Sequence, residues 1–388
     1  MSAITTIRPA LVGKLNERQV LRVIQSKGAL SRAEVARESG LSAPTVSKAV
    51  VSLINAGLLE ETDATELARG RPAPKVRLAT TSAQVLGVSI DVGHCEVVSA
   101  GLDGSLHDAA QRVPTPSTYP ALLRALEAAA RKLMARPGVS TLGLGLSLPG
   151  LVDYRKGHGV LSPNVPITNG HAPAADLAER LSIECTLLQE SHALCLAERN
   201  YGLAKGFDDF ALLDVGAGVG LGIMSGGRLL KGRSGLAGEI GHFTAVPQGG
   251  RKCGCGNLGC LETVASDSAL AWHASQKLGR AVSVDEVIEL ARSGAVDLSA
   301  ELREVAGYVA VAVAAVINLF NPATVFIHTP LFEIDPALFD LVVATVGERA
   351  LPPSFADCSI VCAKGSKRQG AVAGIIQHLT DAVAPELS

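Results

Sequence analysis

The spacing of apolar positions near the N-terminus predicts three short helices. Apolar side chains at positions 20, 21, 23 and 24 follow a helical period, and Gly28 ends that helix. Residues 31–34, Ser-Arg-Ala-Glu, are typical of a capping box that opens a second helix. Ser42 caps a third helix, which has Pro44 in its first turn. Two strands of a wing are then predicted at Leu58–Glu61 and Lys75–Leu78.

A different pattern begins after the wing. Residues 85–93 form a predicted buried strand that ends in Asp91 and a glycine, and residues 96–102 form a second strand. A helix near residues 119–135 and another buried strand follow, and such alternation implies a layered α/β fold. Residues 210–223 repeat the order of strand, Gly-rich loop and strand. The pattern therefore predicts a duplicated, nucleotide-clasping architecture, although a tight hairpin requires the same glycines.

The distribution of charge divides the chain into two parts. The formal net charge is −2, but residues 1–80 hold 12 basic and 7 acidic side chains, while residues 81–388 hold 23 and 30. We therefore predict a basic domain, 1–80, and an acidic domain, 81–388. Since the overall charge is small, indiscriminate coating of nucleic acid is excluded. The 16-residue apolar run Val305 to Phe320 is short for a membrane span and favours a buried core helix over a dimer contact. The first residues lack the pattern of a signal peptide, so a cytoplasmic location is expected.

The exposed face predicted for the third helix carries short hydroxyls and one cation. Such side chains, at the N-terminal end of the second helix of a helix-turn-helix, contact base edges and phosphates in a major groove. Arginines at the wing tip would enter the adjacent minor groove. We predict operator DNA as a partner and, since two half-sites need two chains, a homodimer or homotetramer. A docking module whose charges are only solvated is the alternative. The predicted DNA-contacting residues are Ser42, Thr45, Ser47, Lys48, Arg69 and Arg71.

Three of the eight cysteines lie between positions 253 and 260. In a reducing compartment this crowding favours metal binding over disulfides. Three thiolates and one imidazole are a normal tetrahedral Zn²⁺ complement, and a closed set of four ligands leaves no position for water, so the role is structural. Free thiols in a Gly-rich loop are the alternative, but such a loop has little core of its own. The predicted ligands are His242, Cys253, Cys255 and Cys260.

Two motifs resemble the signature of the ROK family of bacterial repressors and sugar kinases. They are Glu-Ile-Gly-His at 239–242 and the cysteine loop at 253–262, which closes on a glutamate. The resemblance implies an actin-like, ribonuclease-H-like body of two lobes, and the DNA-binding head resembles the repressor branch. In that family the glutamate and histidine of the first motif and the glutamate that closes the cysteine loop hold sugar hydroxyls. The segment 162–164, Ser-Pro-Asn, resembles a further sugar-contact segment, and positions 189 and 190 also border the family's sugar site. The resemblance therefore implies a carbohydrate ligand in contact with Asn164, Gln189, Glu190, Glu239, His242 and Glu262.

The phosphoryl-transfer motifs of that family are altered in this chain. The first phosphate motif lacks its second glycine and its threonine, and His94 follows Gly93 instead. Glu190 stands at the position of the catalytic aspartate, where one extra methylene displaces the carboxylate by about an ångström. Ala217 and His328 replace a threonine and a glycine. Because phosphoryl transfer depends almost wholly on positioning and electrostatics, we expect no enzyme activity.

Two functions follow from these patterns. We predict a sugar-responsive transcriptional regulator, a repressor, whose carbohydrate ligand closes the lobes and changes the spacing of the two heads of a dimer. Such coupling requires the sugar to bind one arrangement more tightly than the other. The alternative is an ATP-dependent sugar kinase with a regulatory head. The retained residues that favour this alternative are Asp91, Gly216, Gly218, Gly220 and Gly222.

Overall fold

The N-terminal head is a winged helix-turn-helix. A computed structural model of the chain describes residues 9–62 and 74–383, so Arg69 and Arg71 of the predicted wing tip lie outside the described residues. The predicted capping box is present, since the Glu34 amide donates to Ser31 Oγ and the Ser31 amide donates to Glu34 Oε2. The described strands pair antiparallel in the order β1-β3-β2. The elements are α1 (Pro9–Lys27), β1 (Leu30–Ser31), α2 (Arg32–Ser39), α3 (Ala43–Asn55), β2 (Leu59–Thr62) and β3 (Lys75–Leu78).

The first lobe is built on a five-stranded sheet. Its first three strands pair antiparallel and the other two are parallel to β4, in the order β6-β5-β4-β7-β10. A small hairpin and a short 3₁₀ helix, Pro166–Thr168, precede α5. The elements are β4 (Ala83–Ile90), β5 (His94–Ala100), β6 (Leu106–Pro114), α4 (Tyr119–Met134), β7 (Ser140–Leu148), β8 (Leu151–Asp153), β9 (His158–Leu161), α5 (Pro173–Leu181), β10 (Glu184–Gln189) and α6 (Glu190–Tyr201).

The second lobe repeats this order as β13-β12-β11-β14-β15, with the same antiparallel and parallel pairings. The duplication predicted from the two strand–glycine–strand segments is confirmed. A 3₁₀ helix, Ile240–His242, lies between β13 and α7. The elements are β11 (Phe210–Val215), β12 (Val219–Ser225), β13 (Arg228–Leu229), α7 (Glu262–Ala265), α8 (Asp267–Leu278), α9 (Val284–Ser293), α10 (Ser299–Phe320), β14 (Thr324–His328), α11 (Leu331–Ile334), α12 (Ala337–Arg349), α13 (Pro352–Ala356), β15 (Ser359–Cys362) and α14 (Lys367–Val383).

Helix α10 carries the longest apolar run. Among the described residues it is the one helix whose length and composition would allow it to cross a membrane. Its side chains at Val309, Val313 and Ile317 are fully buried in the core of the second lobe. The helix therefore serves as the core helix that the sequence predicts, although Leu319, in its last turn, is exposed.

Helix α14 returns the chain to the first lobe, where glycines allow it to approach the sheet closely. A Cβ on Gly145 would lie 1.8 Å from the carbonyl oxygen of Ala371, and one on Gly87 would lie 2.8 Å from Val372. On its other side α14 packs against α6, where a Cβ on Gly370 would lie 2.4 Å from the backbone of Ala193. The helix is therefore held between the sheet and α6, and none of these three glycines has space for a larger side chain.

The head and the body share one apolar cluster. Leu142 of β7 and Leu379 of α14 pack against the buried leucines and valines of the head. A second connection lies at Glu60 of β2, which is 7% exposed. Its carboxylate accepts hydrogen bonds from Arg77 and from the segment 80–82, including both the amide (2.9 Å) and the hydroxyl (2.7 Å) of Ser82. The predicted boundary at residue 80 therefore lies in a segment that is closely hydrogen-bonded to Glu60 of the head.

Replacing Glu60 by glutamine is expected to lower the free energy of unfolding at pH 7 by about 2–3 kcal/mol, because charge-assisted hydrogen bonds are lost from a buried acceptor. Although burial opposes ionisation, the hydrogen bonds from Ser82, Thr80 and Thr81 hold the pKa of Glu60 well below its usual value of 4.5. The stabilisation is therefore complete above about pH 5 and declines as the pH falls below the unfolded-state pKa. Urea unfolding at pH 7 and pH 4 measures both effects.

The neighbouring Glu61 supplies the control for this prediction. Its carboxylate is half exposed and pairs with Arg32 at 2.8 Å on the surface. Glu61→Gln is expected to change the stability by less than about 1 kcal/mol, since exposed ion pairs contribute little. Equal stability of Glu60→Gln and the wild type at pH 7 would show that the Glu60 carboxylate does not stabilise the fold.

Candidate functional site

The exposed face of α3 is the candidate nucleic-acid interface. Ser42, Ser47 and Lys48 are exposed, and the opposite face of the helix is buried in the head. Ser42 caps the helix by accepting a hydrogen bond from the Thr45 amide, and its hydroxyl also lies 2.8 Å from the hydroxyl of Thr45. Thr45 is half-buried. Among the described residues, the hydroxyl and the cation of this face that have no partner are those of Ser47 and Lys48.

His242, Cys253, Cys255 and Cys260 come together as the sequence predicts. Their four ligand atoms all lie within 4.8 Å of one another. The Sγ atoms of Cys255 and Cys260 are 3.7 Å apart, and Cys253 Sγ lies 3.7 Å from His242 Nδ1. A tetrahedral ion with bonds of about 2.3 Å to sulfur separates neighbouring sulfurs by about 3.8 Å. The donor set and its spacing therefore fit a tetrahedral metal ion.

The backbone of the cysteine loop is held by close contacts at glycines. Gly259 has a φ of +69°, and a Cβ there would lie 1.9 Å from the carbonyl oxygen of Val246. The Cys253 amide donates to the carbonyl of Asn257 at 2.8 Å, which closes a tight turn between the ligands. Because the loop has few apolar side chains of its own, a bound ion would contribute directly to its folding.

A cluster of polar side chains, which we call the polar group, lies next to this loop, around Gly218. A Cβ on Gly218 would lie 2.6 Å from Glu262 Oε2 and 3.3 Å from Asn164 Nδ2, so the two side chains meet over the bare backbone of the glycine. The amide of Val219 donates to Glu262 Oε2 at 3.4 Å. Burial and the neighbouring Glu262 raise the pKa of Glu239 to about 7. Two carboxyl groups and an amide are thus held together, with acceptors and donors suited to a polyol.

His242 connects the metal cluster with this polar group. Its Nδ1 faces Cys253, whereas its Nε2 lies 3.9 Å from Glu239 Oε2. The short 3₁₀ helix that carries it is pressed onto β12, where a Cβ on Gly241 would lie 2.2 Å from the carbonyl oxygen of Val219. On the other side, Gly254 of the cysteine loop packs against Pro163, next to Asn164. Loss of the loop geometry would therefore displace both sides of the polar group.

Gln189 and Glu190 lie at the junction of β10 and α6. Gln189 Oε1 caps α6 by accepting a hydrogen bond from the His192 amide, and the hydroxyl of Tyr154 accepts one from the Gln189 amide at 2.9 Å. Glu190 Oε1 is in direct contact with Lys367 Nζ, which also lies 3.6 Å from Asp91 Oδ2. Burial raises the pKa of Glu190, while the Lys367 ammonium favours the ionised carboxylate and opposes that shift.

Further ionisable groups face the Glu190–Lys367 pair from the second lobe. His328 Nδ1 lies 2.7 Å from Asp214 Oδ1, and the Lys367 and His328 cations lower the pKa of that carboxyl against the effect of burial. Asp267 is 4% exposed, and burial raises its pKa to about 7. Among the described residues its Oδ1 is a buried oxygen with no hydrogen-bond partner. A methyl group on Gly216 would lie 3.9 Å from Asp267 Oδ2 and 4.0 Å from Lys367 Nζ.

The predicted site residues thus fall into two adjacent groups, linked by the glycines of β12. Asn164 and Glu262 lie over Gly218, and Glu239 and His242 lie next to Glu262. A Cβ on Gly220 would lie 2.1 Å from Ser191 Oγ, beside Glu190. His94 is turned elsewhere, with its Nδ1 3.0 Å from a guanidinium nitrogen of Arg112 on β6. Three further residues of the site, Tyr154, Asp267 and Lys367, are not predicted from the sequence, because each is far along the chain from Glu190.

Comparisons with known proteins agree with this architecture. A family model described as the ROK family matches residues 86–380, and one described as a winged helix-turn-helix DNA-binding domain matches residues 15–60. The N-acetylglucosamine repressor of Escherichia coli O6:H1 is 31% identical over 366 residues, which cover 88% of this chain and 86% of the repressor. The crystal structure of a ROK family transcriptional regulator, a homologue of the Escherichia coli Mlc protein, is 26% identical with a TM-score of 0.80 and covers 96% of this chain and 98% of that one. The fold is also that of a ROK family glucokinase from Streptomyces griseus, solved with glucose and a nucleotide analogue, with a TM-score of 0.66 and 24% identity over 75% of this chain and 97% of the kinase.

Proposed function

Because the chain belongs to the ROK family and carries a winged helix-turn-helix head, we propose that it is a sugar-responsive transcriptional repressor. One observation carries this proposal: the exposed Ser47 and Lys48 of α3 belong to the same chain as a polar group suited to a polyol. The head binds operator DNA in the cytoplasm as a homodimer or homotetramer, because a helix-turn-helix reader contacts two half-sites. The likeness to the solved ROK transcriptional regulator covers 96% of this chain, and that to the N-acetylglucosamine repressor covers 88% of it.

The sugar is bound by Asn164, Glu239, His242 and Glu262, with Gln189 and Glu190 at the end of the pocket nearest Lys367. The carboxylates accept hydrogen bonds from sugar hydroxyls, and the Asn164 amide donates to a sugar oxygen. Burying two neighbouring carboxyl groups without hydrogen-bond partners is costly. Sugar hydroxyls lower this cost by donating hydrogen bonds to the carboxyl oxygens. Most of the free energy of sugar binding therefore comes from contacts at the junction of the two lobes.

The metal ion at His242 and the three cysteines is Zn²⁺ in a structural role. Four protein ligands would fill its coordination sphere, so a bound ion would stabilise the fold of the loop and would leave no position for a catalytic water. His242 would hold such an ion through the nitrogen that faces Cys253, and this contact would fix the orientation of the ring, so that its Nε2 faces Glu239 and the proposed sugar site. A protein that loses the metal ion is therefore expected to bind the sugar more weakly.

We propose that the chain does not transfer phosphate, although its fold is shared with kinases. The Lys367 ammonium contacts the carboxylate at the position of the family's base and lies near Gly216, in the region between the two glycine-containing strand ends. A tethered cation there competes with the Mg²⁺ that phosphoryl transfer requires. Sugar-dependent ATP turnover at ordinary kinase rates, about 1–100 per second, would contradict this proposal.

Gel shifts test the repressor function directly. The DNA is a fragment that the wild-type protein selects from a random-sequence library, and D-glucose, D-xylose and N-acetyl-D-glucosamine are the added sugars. We expect at least one sugar to weaken binding by tenfold or more. Lys48→Ala is expected to weaken binding about tenfold and to lower the slope of log K against log salt by about 1, because one phosphate contact is removed.

Lys132, an exposed lysine of α4, supplies the matched control. Lys132→Ala removes the same charge from the body, and we expect unchanged operator affinity. Equal binding by Lys48→Ala and the wild type would remove α3 from the DNA interface, and a failure of all three sugars to alter binding would count against them as effectors.

A further inference from the structure

Lys367 occupies the first position of α14, and among the described residues its ammonium makes ion pairs with the first lobe only. It contacts Glu190 at the start of α6 and Asp91 at the end of β4, both in the first lobe. Its side chain is 24% exposed. The second lobe offers Asp267, a buried carboxyl group near Gly216 whose Oδ1 has no partner among the described residues. The Lys367 ammonium is thus paired with two carboxylates of the first lobe, and it lies near a carboxyl group of the second lobe, Asp267, with which it makes no ion pair in the described structure.

The segment that carries Lys367 is firmly held. Glu198, a fully buried carboxylate, accepts hydrogen bonds from the amides of Lys364 (2.8 Å) and Gly365 (2.6 Å). Ser366 and Gln369 then exchange hydrogen bonds between side chain and backbone, which fixes the first turn of α14. The backbone of Lys367 is therefore defined by its surroundings, and its long side chain is the part that can change partners.

The opposite end of α14 lies in the DNA-binding head. Leu379 packs in the apolar cluster of the head, Gln25 of α1 donates to the hydroxyl of Thr380 at 3.3 Å, and Arg18 donates to Asp381 at 2.9 Å. A helix of 17 residues spans about 25 Å, so one rigid element joins the sugar pocket to the head. Its close contacts with the sheet prevent bending between the two ends.

We propose that Lys367 is a two-position switch that reports sugar binding to the DNA-binding head. In the structure its ammonium holds Glu190 and Asp91 of the first lobe; when a sugar hydroxyl takes Glu190, the ammonium passes to Asp267 and draws the second lobe toward α14. Because the head is attached to α14, this closure reorients the head relative to the second lobe. The inference rests on the proposed repressor function and adds the route of its regulation.

The experiment measures operator affinity with and without the sugar, chosen from D-glucose, D-xylose and N-acetyl-D-glucosamine, that releases the wild-type protein. In Lys367→Met and in Asp267→Asn, we expect the sugar to bind within about fivefold of wild-type affinity but to change operator affinity by less than twofold. By linkage, operator DNA weakens sugar binding in the wild type by the same factor and leaves it unchanged in both variants. Lys364→Met, an exposed lysine of the same segment, is the control and keeps the full response.

The outcomes separate the two proposals. If the wild type responds to a sugar and Asp267→Asn responds equally, the switch is overturned while the repressor function stands. Asp267→Asn decides the matter even if Lys367→Met, which leaves two carboxylates without their cation, fails to fold. A wild-type protein that responds to none of the three sugars overturns the switch and these sugars as effectors together.

Discussion

Cys260→Ser is expected to remove the metal ion and to weaken sugar binding by about 10- to 100-fold, the usual cost of losing the atoms that orient a functional group at a metal site. Cys260 is fully buried and its sulfur lies 3.7 Å from that of Cys255, so no other thiol can replace it without moving the loop. Because we propose that His242 binds the ion beside Cys253, loss of the ion would free the ring, and its Nε2 would lose its orientation toward Glu239. Elemental analysis gives metal per chain, and titration calorimetry gives sugar affinity.

Cys362→Ser is the control for this prediction. Cys362 is exposed on β15 and is absent from the cluster of four ligands. We expect this variant and the wild type to hold the same amount of metal, about one ion per chain. A Cys260→Ser protein with wild-type metal content and sugar affinity would exclude the structural metal site.

Gly145→Ala is expected to lower the free energy of unfolding by about 3 kcal/mol or more, because the added methyl group overlaps the backbone of a tightly packed helix. Its Cβ would lie 1.8 Å from the carbonyl oxygen of Ala371, a backbone atom that moves only if α14 moves. Displacement of α14 also disturbs Leu379, so operator binding falls together with stability. Urea unfolding and gel shifts measure the two effects.

Gly307→Ala makes the same chemical change where space is available. Gly307 lies within α10, and a Cβ there has no neighbour within 4 Å. We expect this variant to be neutral or more stable by up to about 1 kcal/mol, because alanine favours a helix over glycine. An unchanged stability of Gly145→Ala would show that α14 tolerates displacement from the sheet.

Local chemistry made the head predictable from the sequence. The caps at Ser31 and Ser42 involve residues only three positions apart, and both are present in the structure. The two-residue strand β1 escaped prediction because its pairing with β3 is non-local. The first helix begins at Pro9, earlier than the apolar stripe indicates. Residues 12–14 are exposed, so they add nothing to the buried face from which the helix was predicted.

The metal cluster was predictable because three of its ligands lie within eight residues. The partners of Glu190 were not, since Lys367 is 177 positions away and no spacing in the sequence relates them. Only the fold brings the first residue of α14 beside the first residue of α6. For the same reason the pairing of His328 with Asp214 follows from strand register, in which the two residues are direct neighbours on β14 and β11.

The apolar cluster that Leu379 and Leu142 share with the head bears on how such proteins diversify. A head exchanged by recombination at residue 80 would arrive without the leucines that complete its interior, and a small domain has little stability to spare. Successful exchange therefore requires matching changes in the last turn of the C-terminal helix. New operator specificity is then acquired more readily by point substitutions on the exposed face of α3 than by transplanting whole domains.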